Sequence, residues 1–138
     1  MKLLTNGVNV AKKVAEIESI EVTFIGGKLC PKTMGFYGYQ AENQLKNYRL
    51  GKSILAVDKF DFEVGITEKH ADRAGLIQSV CKNSNEIVVI CKSVNLGKSH
   101  CYIAQDSKKI SILITDKDIK REQIDALTAF GIKVIIAK

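Results

Sequence analysis

Ile20–Gly38 reads IEVTFIGGKLCPKTMGFYG, an apolar run that meets paired glycines and then a loop closing on a third glycine. Residues 20–25 have the β-branched and aromatic content of a strand. Gly26 and Gly27 carry no Cβ, so the chain can turn sharply there and bring backbone N–H groups close to a ligand. The C-terminal end of a strand in an α/β sheet is where ligands usually sit. Paired glycines after a strand also serve as an ordinary turn, so the surrounding chain has to decide.

Outward from that stretch, strand and helix patterns alternate. Short apolar runs predict strands at 3–5, 20–25, 53–57, 86–91, 110–115 and 132–137, with a further short segment at 101–104. Between them, helical spacing joins Val8, Ala11 and Ala15 behind a cap at Asn6, and Ala41, Leu45 and Tyr48 over residues 40–48. Thr67 is placed to cap a helix carrying Ala71, Ala74, Ile77 and Cys81 on one face, with Glu68 at its positive end. Asp116 or Asp118 caps a last helix through Ile119, Ile124, Leu127 and Phe130, which Gly131 ends. The nearly all-apolar run at 53–57 suits a strand buried on both faces. This βαβα rhythm predicts an α/β domain, a mostly parallel sheet with helices on both faces, spanning residues 1–138 without a linker or repeat.

Composition narrows the function classes. The chain has 138 residues, 46% hydrophobic and 26% charged, enough for one domain with a real core. It has neither a long apolar run nor a signal-peptide pattern, which predicts a cytoplasmic protein with no membrane partner. The net charge of +6 comes from scattered lysines rather than a basic cluster, so it reads first as a solvated surface. Cys30, Cys81, Cys91 and Cys101 form no C-x-x-C, and one Cys–His neighbour pair does not make a zinc site. Reduced cysteines and no metal or cofactor are expected.

LLTNGVNVAKKVAE, IEVTFIGGKLCPKT, LAVDKFDFEVGIT and ILITDKDIKREQIDALTAFGIKVIIA follow one another as in the C-terminal sensor domain of the DeoR-type transcription repressors. The resemblance covers nearly the whole chain. It implies a Rossmann-like fold related to ribose-phosphate isomerase and CoA-transferase types. It also implies a phosphorylated-sugar effector, and DNA reading by a separate helix-turn-helix domain placed earlier. In the family a strand with a D-x-G-T-T-type loop precedes the first strand seen here. On that reading the chain is a fragment missing both, its sheet has an exposed edge, and homo-oligomers are expected. The ligand-binding residues implied are Thr5, Asn6, Gly26, Gly27, Gly38, Asp58, Gly65 and Thr67, converging in one pocket. Asp58 would accept hydrogen bonds from sugar hydroxyls. Gly65 and Thr67, like Thr5 and Asn6, would open helices whose free N–H groups favour a phosphate. The simpler reading of Thr67 and Asn6 is as caps, and of Asp58 as a solvated loop residue.

The departures from the family pattern concern positive charge. Cys30 stands where the family has an arginine after the glycines, and Ile77 where it has a lysine. Lys92-Ser93-Val94-Asn95-Leu96-Gly97 stands where it shows D-S-S-K-F-G. Each charge-assisted contact to an anion contributes about 1.5–3 kcal/mol, so sugar phosphates are expected to bind weakly or not at all. Lys92 or Lys32 would compensate only in part. Catalysis is not expected: the two histidines, His70 and His100, fall on a helix start and a loop, and no G-x-S-x-G, H-E-x-x-H or Walker run appears. The reading is a regulator's effector-sensing and oligomerisation domain. The alternatives are a ligand-free oligomerisation module and a small phosphosugar isomerase-like enzyme.

Overall fold

A computed structural model describes residues 1–138 and divides them into two compact units, Met1–Tyr48 and Arg49–Lys138. In the first, β1 (Lys2–Thr5) and β2 (Glu21–Phe24) pair in parallel around α1 (Val8–Val14). The ladder runs on past the strand, where the Ile25 N–H donates to the Thr5 carbonyl at 2.8 Å. A hairpin of β3 (Lys28–Cys30) and β4 (Gly35–Tyr37) follows, then α2 (Tyr39–Leu45). The segment after the glycines reads as a loop in sequence because these strands are three residues each and begin at an exposed lysine. Met34, at φ 53°, closes the turn by donating its N–H to the Cys30 carbonyl at 2.9 Å. Phe24 and Phe36 meet edge to face at 5.3 Å, and Ile25, Ala41 and Leu45 are this unit's buried apolar side chains. Tyr48, expected on the same face as Leu45, lies beyond the helix and is exposed.

The second unit holds a four-stranded parallel sheet in the order β11-β10-β8-β5, an α/β arrangement. Its strands are β5 (Leu50–Ala56), β8 (Ser84–Ile90), β10 (Ile112–Thr115) and β11 (Lys133–Ile136). A small antiparallel sheet, β6 (Lys59–Asp61), β7 (Gly65–Glu68) and β9 (Tyr102–Gln105), interrupts the chain around α3 (Ala71–Lys82). Alternation sorts most of the parallel sheet: Ser53, Ile87, Val89, Leu113 and Thr115 are buried, while Ile54, Ile90 and Ile135 point the other way and are exposed, with Val88 the buried residue on that second face. α3 and α4 (Arg121–Ala129) add Ala74, Ile77, Cys81 and Leu127 to the same core as Phe60 and Ile66. α4 ends as its sequence predicts. Gly131, at φ 77°, donates to Thr128, and Ile132 donates back to Leu127, closing a Schellman motif.

Three expectations are corrected. Strand β5 is an edge strand, not a doubly buried one: Gly51, Lys52, Ile54 and Ala56 are exposed and its one partner is β8. Gly65 and Thr67 do not open a helix. They sit in β7, clamped between β6 and β9, and α3 begins at Ala71 behind His70. Pairing of the β-branched Ile66 and Thr67 on both edges outweighs the capping preference of one threonine. Asn6 is not a cap either. Gly7 holds that position, with no side-chain cap, while the Asn6 side chain donates to the Phe36 carbonyl at 2.9 Å.

Candidate functional site

In the second unit the loop after β5, strand β7 and the start of β9 come together around one residue that sequence reasoning passed over. His100 places Nε2 2.8 Å from Asp58 Oδ2, and its backbone N–H donates to Thr67 Oγ1 at 2.8 Å. Two of the expected ligand residues are thereby joined through a third. That hydrogen bond, helped by the charges of His100, Lys59 and Arg73 and opposed by burial, holds the Asp58 carboxyl below its ordinary value. The Asp58 side chain stays 58% exposed. Gly65, at φ 99°, lies where an added Cβ would run into the Gln105 carbonyl, so glycine there serves the β7–β9 contact.

Glu68 follows Thr67 and is fully buried, 3.6 Å from the Arg73 guanidinium through Oε2. Its Oε1 has no hydrogen-bond partner. Burial pushes its carboxyl up, with Arg73 the strongest opposing influence. The residue expected to complement a helix dipole is instead a buried acid. Arg73 stands four residues before Ile77, on the same side of α3. A cation thus stands one turn before Ile77, with Glu68 as a neighbour.

At the ends of β8 and β10, Asp116 accepts hydrogen bonds from the Ser93 N–H, the Ser93 hydroxyl and the Asp118 N–H. The first two hold its carboxyl below the usual range. Asp116 therefore fastens the 3-10 turn Ser93–Asn95, while the last helix is capped at Lys120, whose N–H donates to Gln123 Oε1 at 2.9 Å. A depression of about 610 Å³ is lined by Lys92, Ser93, Asp116, Asp118, Lys120 and Gln123, and by neither Asp58 nor Thr67. The acid-to-base change read from the sequence at Lys92 thus puts this lysine, with Lys120, on the lining of the depression. Burial pushes the thiols of Cys81 up to about 12 and of Cys91 to about 11, which leaves them inert at neutral pH.

In the first unit the expected ligand groups are likewise engaged. Gln44 brackets Gly26, accepting from its N–H at 3.3 Å and donating to its carbonyl at 2.9 Å. An added Cβ on Gly27 would stand 2.6 Å from the Tyr37 carbonyl of β4 and 3.2 Å from the Ala41 Cβ of α2, which makes glycine obligatory there. Thr5 Oγ1 accepts the Gly7 N–H, and Gly38 enters α2 at φ 92°. No local signal announces His100 or Gln44. His100 lies 42 residues from Asp58 and 33 from Thr67, and Gln44 is 18 from Gly26.

Comparison with known proteins adds identity to this geometry. The family model described as the DeoR C terminal sensor domain matches residues 1–117. A putative aga operon transcriptional repressor of Escherichia coli O157:H7 is 33% identical over 133 residues, 96% of this chain and 49% of that protein. The HTH-type transcriptional repressor GlcR of Bacillus subtilis (strain 168) is 24% identical, over 99% of this chain and 52% of its own length. The chain spans about half the length of these curated relatives.

Proposed function

The chain belongs to the DeoR C-terminal sensor-domain family, and from that premise we propose that it senses an effector for a transcriptional regulator of sugar metabolism. The single observation that carries this is the family match over residues 1–117, joined by relatives named as transcriptional repressors. The effector on this reading is a phosphorylated sugar, and DNA is read by a separate helix-turn-helix segment in the cytoplasm. The ligand residues are Asp58, Gly65 and Thr67 in the second unit, and Thr5, Asn6, Gly26, Gly27 and Gly38 in the first. No helix is long and apolar enough to cross a membrane, which accords with such a role.

Affinity for phosphate is reduced on this reading. Gly65 and Thr67 supply no helix N-terminus, and Arg73 is already matched by buried Glu68. Residues 1–138 form one sensor domain that assembles into homo-oligomers. Support for assembly comes from the edge position of β5 and the exposed Ile54, Ile90 and Ile135 on one face of its sheet. The role on this reading is regulatory rather than enzymatic, since the relatives carry regulators' names.

A thermal-shift panel of pentose and hexose phosphates tests the sensing role. A ligand at a hundredfold its dissociation constant adds about 2.7 kcal/mol of stability. The expected result is a shift only at millimolar ligand. Turnover of the compounds would replace the sensor by an enzyme, and a flat panel would leave an oligomerisation module.

A further inference from the structure

Asp58 and Thr67 are both held by His100, one by its ring and one by its backbone N–H. We propose that His100 is a built-in competitor for the effector, its imidazole filling the place on Asp58 that a hydroxyl of a polyhydroxylated anion takes on binding. This rests on the reading of Asp58 as an effector ligand.

The geometry supports exchange rather than a permanent tie. The Asp58 side chain is 58% exposed and the His100 side chain 16% exposed, so a solute reaches the carboxylate more readily than the ring behind it. The segment that carries His100 is anchored at one end by Gly97, whose N–H donates to the Phe60 carbonyl at 2.8 Å. Gly97 is at φ 80°, and a Cβ there would come 2.9 Å from the Phe62 ring. Lys98 and Ser99 are exposed, and strand β9 resumes at Tyr102. Between those ends the segment is held by the two His100 contacts and by a long contact of Cys101 Sγ to the Lys69 carbonyl, 3.9 Å. Releasing the ring leaves the His100 N–H on Thr67 in place, so the exchange needs a side-chain rotation and no unfolding of β9. The carboxylate then has a freed oxygen for a sugar hydroxyl, which donates where the imidazole donated. Inorganic phosphate has no such hydroxyl array and gains nothing at Asp58.

Calorimetry on the full chain with glucose 6-phosphate, ribose 5-phosphate and inorganic phosphate tests this. His100→Ala is expected to tighten both sugar phosphates about tenfold, the scale of one charge-assisted hydrogen bond no longer competed for. His100→Gln, whose amide still donates to Asp58, is expected to stay near wild type, and inorganic phosphate is expected to respond to neither change. In wild type the chain's two histidines make the readout direct: saturating glucose 6-phosphate moves the His100 ring resonance and leaves that of exposed His70 in place. This spectrum also decides the matter if His100→Ala fails to fold. Sugar phosphates that bind wild type with the His100 signal unmoved, or bind His100→Ala equally or less well, overturn the competitor while leaving the sensor reading standing. Absence of binding to wild type and to His100→Ala alike overturns both.

Discussion

The two units meet the same demand by opposite means. In Met1–Tyr48 the groups suited to a ligand are mostly backbone, and side chains hold them: Gln44 brackets Gly26 and Thr5 takes the Gly7 N–H. In Arg49–Lys138 they are side chains, Asp58 and Thr67, and both are held by His100. The packing differs in parallel. The main apolar cluster, from Val57 to Ile132, lies wholly in the second unit, while the first buries Ile25, Ala41 and Leu45. One unit is organised by a large core with polar groups at its rim, the other by hydrogen bonds around glycines. The lesson is that an engaged polar group can be supplied by either design, with Met1–Tyr48 leaning more on each single hydrogen bond because it buries less.

The sharpest way to break this contrast is through the core. Phe60 is fully buried, and Phe60→Ala is expected to cost about 3–5 kcal/mol. Hydrogen exchange should show protection falling throughout Arg49–Lys138 as a block. Loss confined to the loop around residue 60 would mean the second unit is not governed by its core. A smaller effect is expected from Gln44→Ala, which removes two hydrogen bonds to Gly26 and costs about 1–2 kcal/mol. Here the exchange rate of the Gly26 amide should rise well above its neighbours' in the same experiment.

The smallest effects are electrostatic, and their signs oppose. Folded Asp58 binds a proton less readily than in the unfolded chain. Its contribution to stability is therefore complete above the ordinary 3.8 and is lost as pH falls through the lowered folded value. Folded Glu68 binds a proton more readily, so its contribution is present below the ordinary 4.5 and is lost as pH rises through the raised folded value. Melting curves taken from about pH 3 to about pH 7 should show Asp58→Asn flattening the acid limb and Glu68→Gln flattening the decline above it. The reverse assignment would show that His100 does not hold Asp58 and that Arg73 outweighs burial at Glu68.

Much of the architecture was legible because alternation is a local signal. Apolar runs at 86–91 and 110–115 are strands, and Gly131 ends the last helix through a contact set by its own backbone. What escaped was decided across the chain. Thr67 has the residue type of a cap, but pairing with β6 and β9 makes it a strand residue. The apolar run in β5 suits a central strand, yet its neighbour on one side is missing from the pairing order, and Ile54 is left 64% exposed. The charge deficit at Cys30 and Ile77 was readable one position at a time, whereas the proximity of Arg73 to Glu68 required the strand and helix to be placed. His100 is a loop residue as its sequence predicts, but nothing within ten positions of it marks its partners Asp58 and Thr67.

The cysteines carry a practical consequence. Cys81 and Cys91 are sealed inside and resist alkylation, while Cys101 is exposed, immediately beside His100. A thiol-directed fluorophore therefore discriminates among these three, and replacing the half-buried Cys30 leaves Cys101 as the accessible thiol. Attached at 101, it sits next to the ring that contacts Asp58, so the protein carries its own address for an optical reporter of that ring's movement.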